Sequence, residues 1–213
     1  MILAVCPLAW FYLRHPPTPV ASKNERPSPG RDLLRLARFR TLSAAFALGL
    51  FAQIGLFSHL IARLTPGVGA EFAALAVSLT TLCAIIGRRL LGWFLGDADR
   101  RHAAAVNLSV QAAGSLLLAF GEGSATLVAG CVLFGLAVGN LTSLPPLIAQ
   151  REFRPADVGT VVALVTAINQ AVFAFAPAVF GALRDLSANY LAAFVLAALV
   201  QLAAATIVLC GRR

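Results

Sequence analysis

Two apolar stretches, FAALAVSLTTLCAIIGRRLLGWFLG (72–96) and AAAVNLSVQAAGSLLLAF (103–120), are separated by the short charged segment DADRRH (97–102). Each stretch is about as long as the roughly 20 helical residues that cross a bilayer. The chain has four more stretches of this kind: 41–62, 125–148, 158–183 and 190–210. The pattern predicts an all-α membrane protein with six transmembrane helices.

Basic residues occupy alternate gaps between these stretches. An even number of spanning helices puts both ends of the six-helix block on the same side of the membrane. Fifteen of the seventeen Lys and Arg residues lie on that side, and only Arg63 and Arg184 lie on the other. Because cytoplasmic loops retain Lys and Arg, we expect both ends of the six-helix block to face the cytoplasm. The prediction is a multi-pass protein of the cell membrane whose basic loops and C-terminus are cytoplasmic.

Composition favours a membrane protein, since 59% of the residues are hydrophobic and 12% are charged, whereas an ordinary soluble domain has about 25% charged residues. The alternative is a very apolar soluble bundle, in which every helix needs a polar stripe. Residues 190–210 offer only Gln201 and Thr206 for such a stripe. The net charge of +8 would suggest nucleic acid in a soluble protein. Here topology accounts for the charge, so we expect the lipid bilayer as a partner and no nucleic acid.

Reactive side chains are not arranged as in an enzyme. The four cysteines lie singly in apolar stretches, without the spacing of a metal or redox site. The sequence shows no Ser-His-acid set at one depth, no phosphate-binding loop and no metal-ligand cluster. We therefore predict a protein that is not an enzyme and that holds no cofactor or metal.

The beginning of the chain differs from the remainder. Residues 1–13 are apolar but too few to span a bilayer, and we interpret them as the inner end of a preceding transmembrane helix. Residues 14–40 are a basic cytoplasmic linker, and its proline-rich part, 14–30, is expected to be partly extended chain. The six-helix domain follows at 41–213.

The turn between the two quoted stretches carries the most specific pattern. The run GRRLLGWFLGDADRR (87–101) resembles the loop motif G-x-L-A-D-x-x-G-R-R of the major facilitator superfamily, as it occurs in the second half of those transporters. Gly92 and the closing Arg-Arg pair match this motif. The acidic residue is displaced by one position to Asp97, and Asp99 occupies the place of the motif glycine.

A second resemblance lies in residues 153–190, which are similar to the eleventh-helix region of the superfamily, in particular its branch of monocarboxylate-type carriers. The residues that carry it are Gly159, Pro177, Gly181, Asp185 and Tyr190. The resemblance covers essentially the whole chain and implies the C-terminal six-helix half of a carrier, plus a partial preceding helix. It also implies transport of a small solute by alternating access, with the site between two six-helix halves.

The resemblance further implies a cytoplasmic gate, in which charged contacts hold the inner side shut in one state and separate in the other. The predicted gate residues are Gly87, Arg88, Gly92, Asp97, Asp99, Arg100, Arg101 and Asp157. Asp157 directly precedes the fifth stretch, where a carboxylate is expected to cap free N–H groups of the helix. The alternative is that these are ordinary loop charges that orient the protein.

Polar side chains at mid-membrane depth predict a pathway, because hydrocarbon offers them no partners. They share helix faces on four of the six stretches, the ones that the resemblance places around the pathway. The predicted substrate-cavity residues are Gln53, Ser78, Thr81, Asn140, Ser143, Thr166, Asn169 and Gln170, of which Asn169 and Gln170 are the strongest candidates for solute contact. The alternative for any one of them is a hydrogen bond between helices.

Prolines predict irregular helices at two places, because a proline inside a helix breaks its hydrogen-bond ladder. Pro145 and Pro146 should interrupt the fourth stretch, and Pro177 should kink the fifth. No Asp or Glu lies at mid-membrane depth in the six stretches, where proton-coupled carriers commonly use buried carboxylates or histidines as relays. Either the coupling group belongs to another half of the carrier, or transport is uncoupled, and the sequence names no solute.

Three hypotheses remain open for the chain as it stands. It is a piece of a split or truncated carrier, or it pairs with a separate N-terminal six-helix half or with a second copy of itself. The third hypothesis is a membrane scaffold or assembly partner that transports nothing.

Overall fold

The structure, a computed structural model, describes residues 28–96 and 98–211. The apolar segment 1–13, most of the linker 14–40 and the predicted gate residue Asp97 lie outside the described residues. The helices of the described part are α1 (Gly30–Arg35), α2 (Ala37–Val68), α3 (Ala70–Leu95), α4 (Arg100–Phe120), α5 (Ser124–Val138), α6 (Leu144–Glu152), α7 (Pro155–Phe173), α8 (Ala176–Ser187) and α9 (Leu191–Cys210).

The predicted all-α membrane architecture is confirmed. The six apolar stretches correspond to α2, α3, α4, the α5–α6 pair, the α7–α8 pair and α9. Five of them are long and apolar enough to cross a membrane, and α5 is a shorter apolar helix that α6 continues. No strand occurs in the described ranges.

Both predicted interruptions occur just before the prolines. A proline ring clashes with the carbonyl four residues earlier, which for Pro145 is that of Leu141, in the turns 139–143 between α5 and α6. For Pro177 the clashing carbonyl is that of Phe173, the last residue of α7. Each proline then lies in the first turn of the next helix, where its missing N–H costs no hydrogen bond.

The end of the linker is helical, unlike the extended chain predicted for the part before it. Helix α1 follows Pro29, has Asp32 in its first turn and Arg35 in its last, and these charges suit the helix dipole. Leu33 is 2% exposed and packs into the core. Burial of this leucine explains why a basic, polar segment becomes ordered here.

Helix packing leaves some of the spanning segments much less buried than others. Helices α4 and α9 pack on each other, α4 also packs on α5, and α9 also packs on α2. Helix α3 packs mainly on α5, and α7 with α8 packs mainly on α2. In their most hydrophobic windows, 56% of α2 and α4 is buried, compared with 28% of α3 and 17% of α7–α8. We call the exposed sides of α3 and α7–α8 the open face.

Candidate functional site

Four of the predicted cavity residues lie on the open face. Ser78 and Thr81 of α3 are exposed, as are Thr166 and Gln170 of α7. The Ser78 hydroxyl donates to the carbonyl of Ala74 at 3.0 Å, and the Thr81 hydroxyl bonds one turn back in the same way. Such back-bonding satisfies a hydroxyl within its own helix while leaving its lone pairs available to another molecule.

Asn169 and Gln170, although adjacent, point in different directions. Gln170 is exposed, whereas Asn169 is 5% exposed and points into the bundle. Its Oδ1 atom has no hydrogen-bond partner in the described part of the chain. A buried acceptor of this kind is costly without a donor, so Asn169 has unused hydrogen-bonding capacity beside the open face.

Gln53 lies in the bundle core instead of on the open face. Its Oε1 atom accepts from Gln111 Nε2 at 2.9 Å. On the same face of α4, one turn further, the Ser115 hydroxyl donates to Gln201 Oε1 at 2.8 Å. The four side chains form a buried polar layer that joins α2, α4 and α9, as expected from the alternative of hydrogen bonds between helices.

Asn140 is in the turn between α5 and α6 and is turned towards α4. Its Nδ2 atom donates to Asn107 Oδ1 at 2.7 Å and to the carbonyl of Leu136 at 3.2 Å. Asn107 Nδ2 in turn donates to the carbonyl of Ala137 at 3.1 Å. The Ala137 carbonyl also accepts from the backbone N–H of Asn140 at 3.2 Å. The two asparagines therefore add side-chain hydrogen bonds to carbonyls at the break, which helps to make the irregular backbone tolerable within a membrane. Ser143 lies half-buried at the end of the same turn.

Arg88 supports the same break from α3. Its Nε atom donates to the carbonyl of Gly139 at 3.0 Å, while much of the side chain remains exposed. The preceding residue, Gly87, makes the approach possible, because a Cβ there would collide with the Leu136 carbonyl. Gly92 has no atom within 4 Å of a Cβ built on it, so close packing explains Gly87 but not Gly92.

Arg101 lies in the centre of a buried charge cluster at the predicted cytoplasmic end. It is 1% exposed, and its guanidinium makes a two-pronged ion pair with Glu152 of α6, at 2.6 and 2.9 Å. The remaining N–H groups donate to Thr41 Oγ1 and to the carbonyls of Arg38 and Val208. All five guanidinium donors are therefore used. We call these five residues the Arg101 cluster; it joins α2, α4, α6 and α9.

Asp99 has a local structural role that explains its departure from the motif glycine. It is the N-cap of α4, and its carboxylate accepts from the backbone N–H of Arg101 at 2.8 Å and of His102 at 3.2 Å. Aspartate is among the preferred residues at this position. Arg100 donates to the carbonyl of Ala98 at 2.9 Å.

Asp157 does not form the predicted cap. It lies in the first turn of α7, where its negative charge meets the positive end of the helix dipole, but the N-cap is Arg154 and no side chain caps this helix. The Asp157 carboxylate instead accepts from the backbone N–H of Ser28 at 2.6 Å and from Arg154 Nε at 2.8 Å. The interaction ties the end of the linker to α7, because Ser28 offers both a backbone and a hydroxyl donor.

The predicted gate residues thus lie in three places: Arg88 at the helix break, Asp99 to Arg101 at the start of α4, and Asp157 at the start of α7. Sequence reasoning missed several polar partners, among them Asn107, Gln111, Ser115, Glu152 and Gln201. All of these except Glu152 are polar side chains on α4 and α9, helices that the resemblance placed away from the pathway. Glu152 could have been found from the sequence, because it is an acidic residue that the predicted topology places on the same side of the membrane as Arg101 of the motif.

Both the sequence and the fold are similar to those of known membrane transporters. Residues 1–177 match the sequence model of the Major Facilitator Superfamily. No curated protein sequence matches the chain significantly. Two crystal structures share the fold. A variant of the E. coli fucose:proton symporter FucP has a TM-score of 0.80 and 20% identity, over 100% of this chain and 54% of that one. FucP in the outward conformation has a TM-score of 0.77 and 19% identity, and the match covers 100% of this chain and 53% of that one.

This chain therefore spans about half the length of the symporter structures that it resembles. The family match covers well over half of the residues, and the helices are those of a multi-pass membrane protein. The chain belongs to the major facilitator superfamily.

Proposed function

We propose that this chain moves a small solute across the cell membrane by alternating access, as the C-terminal six-helix half of a carrier. Membership of the superfamily supports the proposal. The observation that carries it is the open face, which presents Ser78, Thr81, Thr166 and Gln170 on the two least buried of the five long apolar spans. Polar groups facing pure hydrocarbon would be unfavourable, whereas groups facing an aqueous cavity between two halves would be solvated and available to a solute.

The proposed partner is an N-terminal six-helix half or a second copy of this chain, seated against α3 and α7–α8. Besides its polar residues, the open face carries large exposed apolar side chains, such as Leu82 and Ile85 on α3 and Phe175 beside α8. A surface with both kinds of residue suits a helix interface around a polar cavity. The basic ends of the helices would face the cytoplasm.

In the proposed gate, some charged contacts open and close while the Arg101 cluster stays fixed. The Arg101 cluster joins the cytoplasmic ends of four helices and uses every donor of its central guanidinium. It is therefore suited to hold these ends together as one body. Contacts that open and close would then involve the more exposed charges, Arg88, Asp99 and Arg100.

Solute flux into vesicles tests the function. The chain would be reconstituted alone and after co-expression with a six-helix first half, and uptake of radiolabelled sugars, monocarboxylates and amino acids would be measured. We expect uptake of one solute class that Gln170→Ala lowers by about tenfold, as for the loss of a polar contact to the solute. Leu199→Ala is the matched control, because Leu199 is exposed on α9, away from the open face.

Two outcomes would contradict the proposal. Equal uptake by the Gln170 and Leu199 variants would remove Gln170 from the pathway. Stable insertion without flux of any solute, alone or with a first half, would instead favour a membrane scaffold.

A further inference from the structure

The short helix α1 is held in a fixed orientation beside the first turns of α7. Just before α1, the backbone N–H of Ser28 donates to Asp157 Oδ1 at 2.6 Å. At its first residue, a Cβ built on Gly30 would lie 3.6 Å from Leu164 Cδ1. Leu33 is 2% exposed and belongs to the core. These three contacts determine which side of α1 faces the bundle and which side faces away from it.

The length of α2 places α1 at the level of the lipid head groups. Helix α2 has 32 residues, which at helical rise is about 48 Å, whereas the hydrocarbon core is about 30 Å thick. Its apolar stretch 41–62, between Arg40 and Arg63, is about 33 Å long and is sufficient to cross that core. Residues 37–40 and the preceding α1 therefore lie beyond the hydrocarbon, at the end predicted to be cytoplasmic.

The side of α1 that faces away from the bundle is basic. Arg31 and Arg35 lie two positions before and two positions after Leu33, and helical residues two apart point in nearly opposite directions. Both arginines are exposed, and residues four apart share one side of a helix. Leu34, between them in sequence, is 43% exposed. Two guanidinium groups and one large apolar side chain thus point outward together.

This outward side does not lie towards the proposed solute pathway. Gly30 is next to Leu164 of α7, whereas the pathway candidate Thr166 is two positions further along that helix. Leu164 and Thr166 therefore point in nearly opposite directions. Helix α1 lies on the side of α7 that faces away from Thr166, so its basic side is separate from the surface proposed to meet the other half of the carrier.

The two outward arginines differ from their neighbour Arg38 in lacking a partner from this chain. Arg38 donates to the Glu152 carbonyl at 2.6 Å. The guanidinium groups of Arg31 and Arg35 make no hydrogen bond or ion pair with the residues that the structure describes. Residues 31–40 contain four arginines and a single acid, Asp32, so this segment has a net positive charge and suits an anionic partner.

We propose that Arg31, Leu34 and Arg35, the α1 lipid surface, bind an anionic phospholipid of the cytoplasmic leaflet. The two guanidinium groups donate to phosphate oxygens of the head group, which their planar geometry fits. Leu34 enters the outer part of the acyl region, and apolar insertion adds to the attraction between basic residues and anionic lipid. The inference goes beyond the proposed function, because it requires no solute.

Native mass spectrometry of the purified full chain in detergent tests this surface. The chain is mixed with equal amounts of phosphatidylglycerol and phosphatidylcholine that have the same acyl chains, and the bound lipids are counted. Each basic residue at a membrane surface contributes about a fivefold change in binding. We therefore expect phosphatidylglycerol to be preferred by about fivefold or more, and Arg31→Gln/Arg35→Gln to lower this preference by about fivefold or more.

Two further double variants make the test specific to α1. Arg89→Gln/Arg151→Gln is the matched control, because it removes two exposed arginines from the same predicted side of the membrane but leaves α1 intact. It should keep the preference. Arg31→Lys/Arg35→Lys retains both charges and should keep most of the preference, which shows that a loss in the glutamine variant comes from the charges.

Four results would overturn the inference. One is equal binding of the two lipids by the unchanged chain. Another is an equal loss of preference in the two glutamine double variants, which would indicate general attraction to a basic protein. A lysine variant that loses as much preference as the glutamine variant at α1 would exclude binding through charge. Displacement of phosphatidylglycerol by an equal concentration of glycerol 3-phosphate would identify a site for free phosphate esters instead of a lipid surface.

Discussion

The polar groups of the Arg101 cluster and those of the open face differ in how fully they are hydrogen-bonded within this chain. In the cluster, a buried guanidinium uses all five donors within the bundle. On the open face, Ser78 and Thr81 bond back to their own helix and to no other group among residues 28–96 and 98–211, and Gln170 is exposed. One region is satisfied by this chain alone, whereas the other leaves hydrogen-bonding capacity for a different molecule.

The contrast indicates which residues hold the fold and which are available for function. A buried charge is tolerated only when it is paired and fully hydrogen-bonded, so substitutions in the Arg101 cluster should destabilise the protein. Residues of the open face have few partners to lose, so their substitution should affect flux more than stability.

Arg101→Ala should give the largest effect on stability. It removes five hydrogen bonds and leaves Glu152 without its guanidinium partner, which should cost about 3 kcal/mol or more of the free energy of unfolding. Unfolding of the purified chain in mixed detergent measures it. Arg100→Ala is the matched control, since Arg100 donates to a nearby loop carbonyl, that of Ala98, and surface changes usually stay within about 0.5 kcal/mol. Equal stability of the two variants would show that the cluster does not hold the bundle together.

Two glycines of α3 give the next effect and sharpen the contrast within one helix. Gly87→Ala pushes a methyl group against the Leu136 carbonyl, and such overpacking should cost roughly 1–3 kcal/mol. Gly92→Ala meets no neighbour within 4 Å, so it should be neutral or stabilise by up to about 1 kcal/mol through helix propensity. Thermal unfolding of both variants measures the difference. Destabilisation by Gly92→Ala would mean that another chain or lipid packs at this position.

The sequence predicted the existence of the spanning helices well, because each needs roughly 20 apolar residues to cross a bilayer. Their ends were predicted less well, since α2 runs from Ala37 to Val68 whereas the predicted stretch was 41–62. The sequence also predicted both breaks, since Pro145 and Pro177 clash with the carbonyl four residues earlier. A proline alone does not decide a break, however, because Pro66 lies inside α2, which continues to Val68. The order of α1 was not predicted, because it depends on the burial of Leu33 against other helices, and local composition contains no information about that contact.

The candidate site was predicted less completely. Helical spacing shows which residues share a face, but not which neighbour that face meets. Gln53 and Ser78 are both mid-span polar residues, yet one pairs with Gln111 in the core and the other lies on the open face. Arg101 was predicted from a motif as a gate residue, and its pairing with Glu152 depends on how α6 and α4 meet in three dimensions.

A comparison of two glutamines tests the contrast at a smaller scale. Gln53→Leu leaves Gln111 Nε2 without its acceptor in the buried polar layer and should cost roughly 1–2 kcal/mol, as for hydrogen bonds between membrane helices. Gln170→Leu removes no hydrogen bond that the structure shows and should leave the free energy of unfolding nearly unchanged. Detergent unfolding of both variants compares them. A stability loss as large in the Gln170 variant would show that α7 is covered by a partner that bonds to this amide.

Thr81→Val should have the smallest effect on stability. The hydroxyl donates to the Val77 carbonyl, a carbonyl within the same helix, and valine keeps nearly the same shape, so we expect a change within about 0.5 kcal/mol. Thr80→Val is the matched control one residue earlier, because Thr80 is fully buried against α5 and its hydroxyl also bonds its own helix, to Ala76. If exposure to a solute is what distinguishes them, solute uptake should fall in the Thr81 variant and stay unchanged in a folded Thr80 variant. The reverse order would place the pathway between α3 and α5 instead of on the open face.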